Sequence, residues 1–345
     1  MKWATDEQFT DSEKNSPLNA SVASPPERVA EAALRPKKLL EFVGQKHITE
    51  PLGIALAASR ARGEALDHVL LYGNPGLGKT TLAGIVASEI GGEWRTTSGP
   101  ALERAGDLAA LLTQLPAQSV LFIDEIHRLN PVVEEVLYSA MEDFVIDIVL
   151  GKGPGSRSVR MPVEPFTLIG ATTRLNMLGN PLRDRFGHIY HVEPYSVEDI
   201  ERVIARSAKL LDSSVNPDAV RAIAERSRST PRVANRLLRR VRDYAQVHGH
   251  DILNLSAADG AFALLHVDSL GLDAVDRKIL FAIIDSFQGG PVGLGTLAAA
   301  TGEDVDTIEM VCEPYLLQLG MIERTPRGRR ATERAKDHLR NFSSL

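Results

Sequence analysis

The stretch Gly73-Asn74-Pro75-Gly76-Leu77-Gly78-Lys79-Thr80 sets three glycines, a lysine and a hydroxyl between two apolar runs. Glycines let the backbone curl, so successive N–H groups and a following helix N-terminus can point at one anion. The spacing is G-x-x-x-x-G-K-[ST], a phosphate loop when it follows a strand and opens a helix. Lys79 adds a full charge, an attraction of ~4 kcal/mol per unit charge at ~4 Å and an effective dielectric of ~20. Thr80 supplies a hydroxyl for Mg²⁺. A glycine turn that merely caps a helix would leave the lysine unexplained. The loop reads as a seat for a nucleoside triphosphate.

About 45 residues on, the apolar run Val120-Leu121-Phe122-Ile123 ends in Asp124-Glu125. Adjacent acids at a buried strand end suit hydrolysis: Asp124 to hold Mg²⁺ through water, Glu125 to orient or deprotonate the attacking water. With Ile126 and His127 they spell a D-E-x-H box, which raises a helicase built from two tandem α/β domains. Downstream of Ala171 the pattern is helical, so there is no room for that second domain, and His127 reads as a structural neighbour.

The elements that must position these groups follow from periodicity. From His68 onward, short apolar runs alternate with helical periods, the pattern of a parallel sheet with crossover helices, so the fold class here is α/β. Strands are expected over residues 68–72, 93–97, 119–123 and 166–171. Leu82, Ile85, Val86 and Ile90 form one helical stripe after Lys79. Phe144 to Met161 reads as a hairpin, two β-prone arms around a Gly/Pro-rich turn. Both its faces are mostly apolar, and an isolated hairpin cannot bury them itself. That leaves two readings, a partner surface or packing on its own domain. Helices follow over 200–211, 218–227 and 232–246. A winged helix closes the chain: a helix over 274–286, a helix-turn-helix-like span over 292–320, and a hairpin pairing 321–324 with 329–332. The expected domains are a polar tail over 1–26, an ATPase domain over 27–195, a helical lid over 196–266 and a DNA-binding head over 267–345.

The chain has 345 residues, 43% apolar and 24% charged, ordinary for a soluble protein. No apolar run nears the ~20 residues that span a bilayer, no secretory signal opens the chain, and Cys312 is the only cysteine. A reduced cytoplasm and no membrane partner are therefore expected. The net charge is −6, yet residues 321–345 carry seven Lys/Arg against three acids. Segregated charge of this kind is compatible with nucleic acid.

With GNPGLGKTTLA, FIDEIHRLNPVVEEVLYSAMEDF, TLIGATTR, PLRDRFG, TPRVANRLLRRVRD, GGPVGLGTLAAA and RTPRGR in view, residues 30 to about 335 resemble the AAA+ ATPases, and within them the motors of Holliday-junction branch migration. Several of these motifs have no role in generic nucleotide binding. The resemblance implies an ATP- and Mg²⁺-dependent DNA translocase in recombination, DNA repair and the SOS response, assembled as a homohexamer on duplex arms of four-way junctions. Its implied partners are RuvA, gripped by the hairpin near Phe144–Met161, and the RuvC resolvase. Lys79, Thr80 and Thr81 would bind phosphates and Mg²⁺ beside the backbone of Gly76, Leu77 and Gly78. Thr173 would be the first sensor, with Thr172 the alternative. Arg185 would be an arginine finger reaching a neighbouring subunit's γ-phosphate, and Arg232 the second sensor. Leu34, Arg35 and Tyr195 would pack around adenine and ribose, and Glu142, Asp143 and Phe144 match a segment associated with nucleotide. Arg324 and Arg329 match the wing positions on the DNA backbone. The remaining arginines Arg239, Arg240 and Arg242 read as a solvated helix face. Asn74 departs from a common proline. Two rivals stand beside the motor: a loader that uses ATP as a binding switch, and a protein unfoldase, for which no clear aromatic pore loop is found.

Overall fold

A computed structural model of the chain describes residues 31–150 and 157–342. It has two compact units, one spanning Arg35–Pro194 and the other formed by the described residues 31–34 and 195–342. The expected tail over 1–26 lies outside the described residues.

The first unit is a five-stranded parallel sheet with helices. After the helix α1 (Lys46–Arg62) come β1 (Val69–Tyr72), α2 (Lys79–Ile90), β2 (Trp94–Ser98), α3 (Ala105–Leu112), β3 (Val120–Asp124) and α4 (Pro131–Glu142). The hairpin β4 (Val145–Leu150) and β5 (Arg157–Pro162) precedes β6 (Thr167–Thr172), a short α5 (Asn180–Arg183) and β7 (His188–His191). The sheet order is β2-β3-β6-β1-β7. Every residue of β6 is buried, as a central strand covered on both faces requires. The register Leu70↔Gly170 and Ile123↔Gly170 threads the strand ends side by side.

Three strands fall one residue later than the sequence pattern places them, and β1 starts one residue later but ends where expected. His68 shows why at β1: its buried ring bonds the Leu168 N–H at 2.9 Å and lies 3.1 Å from the Met141 carbonyl, so it pins the strand's entry and sits outside the ladder. Burial, the larger influence, lowers its pKa. The fifth strand, β7, escapes the sequence pattern because its half-exposed residues form no apolar run.

The hairpin resolves part of its ambiguity. Ile146 is fully buried in the domain core with Leu137, Val163 and Phe166, and Phe144 packs against that cluster. Across the strands Asp147 opposes Arg160 and pairs with it at 3.7 Å. The base of the hairpin is thus anchored on its own domain, while Val159 is exposed further out. The turn over 151–156 lies outside the described residues.

In the second unit, four helices come first: α6 (Val197–Leu210), α7 (Pro217–Glu225), α8 (Pro231–Val247) and α9 (Leu255–Leu264). Ser196 caps α6 through the Asp199 N–H at 3.1 Å, and Pro231 occupies the first turn of α8, where a missing N–H costs nothing. The fourth helix, α9, has no counterpart among the helices expected from periodicity. Its start is fixed locally, since Asn254 accepts from the Ala257 N–H. The rest is a winged helix: α10 (Ala274–Phe281), running on through a π-helical turn, α11 (Leu294–Thr301), α12 (Val305–Thr307), α13 (Glu313–Gln318), the hairpin β8 (Ile322–Thr325) and β9 (Gly328–Ala331), and α14 (Glu333–Phe342). Leu272, Ile279, Leu280, Leu316, Ile322, Ala335 and Leu339 close its core. Among the described residues no helix is long and apolar enough to cross a membrane.

Candidate nucleotide site and basic wing

The phosphate loop joins β1 to α2 in the context the motif demands. Gly73, Gly76 and Gly78 all take positive φ, at 145°, 82° and 102°. At Gly73 a Cβ would lie 2.3 Å from the Val192 carbonyl oxygen, so no other residue fits there. Gly78 opens α2 with no side-chain cap, and a helix start of this kind favours an anion. Lys79 is buried at that first turn, and its Nζ donates to the carbonyls of Gly73 at 2.7 Å and Asn74 at 2.9 Å. These bonds hold the ammonium inside the curl of the loop. Asn74 contributes through its backbone carbonyl here. A buried cation, a helix N-terminus without a cap and left-handed glycines together fit a polyphosphate.

The acids close β3. Asp124 accepts the Glu125 N–H at 3.0 Å, and Glu125 itself is left-handed at φ 49°. A non-glycine residue held there is strained, a feature concentrated at functional sites. Its carboxylate pairs with Arg128 at 3.1 Å. Among the described residues there is no group of three or more His, Cys, Asp or Glu arranged around a metal. A Mg²⁺ bound mainly through water and phosphate oxygens would need no such cluster.

The two threonines at the end of β6 have different surroundings. Thr172 is fully buried, with its hydroxyl 2.9 Å from His127 Nδ1 and accepting the Arg174 N–H at 3.0 Å. Burial is the main influence lowering the pKa of His127, which favours the neutral ring that can accept from Thr172. His127 thus lies against the end of β6, in contact with Thr172. Thr173 has a buried hydroxyl with no partner among the described residues.

Arg185 follows α5, donating to the Pro181 carbonyl at 2.6 Å and to Glu142 at 2.8 Å, with its guanidinium 4.8 Å above the Tyr138 ring. Tyr138 donates in turn to Glu134 at 2.6 Å. Residues 142–144 are held by contacts within their own domain. Glu142 is the partner of Arg185, Asp143 faces Arg160 at 3.6 Å, and Phe144, at φ 53°, wedges its ring edge-on to His68 and Phe166.

In the second unit, Tyr195 is buried and donates its N–H to the Ser229 carbonyl at 3.0 Å, and the Leu34 carbonyl accepts from Arg206 at 2.7 Å. Arg35 begins the first unit and is half-buried. Arg232, on the first turn of α8, faces Glu31 at 3.8 Å. Arg239 corrects the expectation of a solvated face: it is 11% exposed and lies 4.0 Å from the same Glu31, because α8 turns that flank inward. Arg240 and Arg242 are partly exposed, at 46% and 36%.

On the wing, Arg324 and Arg329 stand opposite each other in the β8–β9 ladder and share one acid. Glu313, 1% exposed, accepts from Arg324 Nε at 2.6 Å and from Arg329 Nε at 3.1 Å and Nη2 at 2.9 Å. Burial would raise this carboxyl, but the two guanidinium groups together pull it below its ordinary value. Arg324 is 55% exposed and Arg329 17%, so the first reaches solvent and the second braces the wing. Nothing in the sequence marks Glu313, because an acid in an amphipathic helix usually faces water.

Comparison with known proteins follows this geometry closely. Residues 34–192 match the family model described as the Holliday junction DNA helicase RuvB P-loop domain. Residues 195–268 match the RuvB AAA lid domain and 269–340 the RuvB C-terminal winged helix domain. The chain belongs to the RuvB family. Among solved structures, the Thermotoga maritima RuvB Holliday junction branch migration motor is 50% identical with a TM-score of 0.82, over 89% of this chain and 98% of that one. A Thermotoga maritima RuvB mutant is 51% identical with a TM-score of 0.83 over the same shares. RuvB-family membership makes this a nucleotide-binding P-loop ATPase of the AAA+ class, and it sets aside the unfoldase and the tandem-domain helicase.

Proposed function

We propose that the chain is an ATP-driven motor that pulls duplex arms through four-way junctions, working in the cytoplasm as a homohexameric ring. In this reading residues 27–195 are the ATPase domain, 196–266 the lid and 267–345 the DNA-binding head. Lys79, Thr80 and Thr81, with the backbone of Gly76, Leu77 and Gly78, hold the triphosphate. Leu34, Arg35 and Tyr195 flank the base and ribose. Bound Mg²⁺-ATP supplies the phosphoanhydride bond whose cleavage drives the cycle. Thr80 through its hydroxyl and Asp124 through water would hold Mg²⁺, which would supply positive charge beside the phosphates. Glu125 takes a proton from the attacking water, and Thr173 reports the phosphate's presence. Arg185 leaves Glu142 to stabilise developing charge on the neighbouring protomer, a contribution of ~10³–10⁵ in rate. Glu142, Asp143 and Phe144 form the ledge from which it acts. Arg232 carries nucleotide state into the lid, and Arg324 with Arg329 places the wing on the DNA backbone. Such contacts position a protein without reading sequence, as a motor that tracks any DNA requires. Six weak wings act together by avidity, which reconciles an acidic chain with DNA. The outer part of the β4–β5 hairpin docks RuvA, and RuvC joins the same assembly.

The observation that carries this reading is the buried Lys79 at a helix start that no side chain caps. Steady-state ATP hydrolysis and dissociation of a four-way junction, each with and without RuvA, test it. Sustained turnover with RuvA-dependent junction movement is expected. Normal ATP turnover with no junction movement would instead favour the loader switch.

A further inference from the structure

The segment linking α7 to α8 carries a second ionic device that nucleotide chemistry does not use. Arg228 and Ser229 are consecutive left-handed residues, at φ 55° and 54°, immediately before the Thr230–Pro231–Arg232 helix start. Two adjacent non-glycine residues in that region persist only when their surroundings hold them. Here the holding groups belong to the winged helix. Arg228 is buried and donates through Nε to the Gly271 carbonyl at 3.0 Å, and through Nη2 to Asp273 at 2.8 Å and Asp276 at 2.5 Å. Its guanidinium also lies 5.4 Å from the Tyr315 ring centroid. Asp273 in turn caps α10 by accepting the Val275 and Asp276 N–H groups. Next to it, Gln318 on α13 donates to the Ser229 hydroxyl at 3.2 Å, while the Ser229 carbonyl accepts the Tyr195 N–H. Gly271 allows the approach, since a Cβ there would stand 2.7 Å from the Arg226 carbonyl oxygen.

We infer that Arg228 is a positioning residue that locks the turn bearing Arg232 to the winged helix, so that lid and head move as one lever. A buried guanidinium is costly to part from the two buried acids that bond it, because parting strands its charge in the interior. A hinge at this joint would break all of these bonds at once. The chain therefore has a bearing here that resists bending, and lid rotation is delivered to the wing undiminished. This rests on the motor reading for its consequence, though not for its mechanical part.

Spin labels at Asp218→Cys on α7 and Asp306→Cys on α12, both exposed positions, measure the joint directly in the full chain. The parent should give one narrow distance. Arg228→Gln should broaden it about twofold, and Arg228→Lys, which keeps the charge and loses the fork, should fall between. An unchanged width in Arg228→Gln overturns the lock. Should that variant not fold, Ser229→Ala with Gln318→Ala cuts the outer tie, and again an unchanged width overturns the lock. In the motor assay Arg228→Gln should keep basal ATP turnover within about twofold and move junctions about tenfold less per ATP. An unchanged yield per ATP overturns the lever. A parent protein that moves no junction counts against the motor reading, and the distance widths still decide the joint.

Discussion

Arg185 and Arg228 are both held by carboxylates and both lie against a tyrosine ring, yet their surroundings are opposite. Arg185 pairs with one exposed acid, Glu142, and one backbone carbonyl. An exposed pair of this kind is worth ~0–1 kcal/mol, so exchanging Glu142 for a phosphate costs little. Arg228 pairs with two acids that are as buried as it is. Burial works against its charge, but Asp276 and Asp273 hold it and raise its pKa well above the ordinary value. Under the proposed function one arginine changes partners and the other keeps them. A motor needs both kinds, a pairing that forms and breaks at each turnover and a joint that transmits the result.

Perturbations that separate the movable from the fixed can be ranked by size. Lys79→Ala should abolish nucleotide binding in a calorimetric titration, since it removes the only side-chain cation of the phosphate loop. Arg185→Ala should leave binding intact and lower turnover by ~10³–10⁵ in the assembled ring; retained turnover would show that this arginine is not a finger. The wing repeats the contrast on a smaller scale. Arg329→Ala strips buried Glu313 of its fork and should lower stability by about 1–3 kcal/mol in denaturant unfolding. Arg324→Ala should hardly change stability, and should flatten the log–log salt dependence of DNA binding by ~0.9 for each phosphate left without its cation. Equal effects of the two wing variants on stability would erase the distinction drawn from their exposure.

The fixed cluster has a pH signature as well. Burial, set against the nearby Arg228 and reinforced by Asp273, raises the Asp276 carboxyl from 3.8 to about 7. Below pH 3.8 the folded and unfolded chains both carry that proton, and its contribution is fully present. As pH climbs towards 7 the unfolded chain releases the proton while the folded chain retains it, so stability falls and then levels. Arg228, Asp273, Tyr315 and Cys312 are the titratable groups around it. Thermal midpoints across that window should slope downward in the parent relative to Asp276→Asn; parallel curves would contradict the assignment.

The legible parts of the molecule are those with local chemistry. Gly73 to Thr80 can be read because each residue type answers a local demand of the phosphate loop, and β3 because an apolar run ending in two acids is rare by chance. The wing is visible from Pro326-Arg327-Gly328 between β-prone arms. What stays hidden depends on partners distant in sequence. Glu313 looks like any surface acid until β8 and β9 bring Arg324 and Arg329 to it. Arg228 stands among other arginines near α8 with nothing to single it out, since its acids lie about 45 residues further on. Arg239 misleads because a dense basic run suggests solvent, while the packing of α8 beside Glu31 buries it. Edge strand β7 is hidden for a different reason, as half-exposed residues with histidines give no apolar alternation.

The central claim is that one protomer's seat is completed by an arginine from the next. Mixing Lys79→Ala protein with Arg185→Ala protein tests it directly, because each is inactive alone for a different reason. ATP turnover should reappear on mixing, where an intact loop meets an intact Arg185 across a shared boundary. A mixture that stays as inert as its two components, despite assembling into rings, would contradict it.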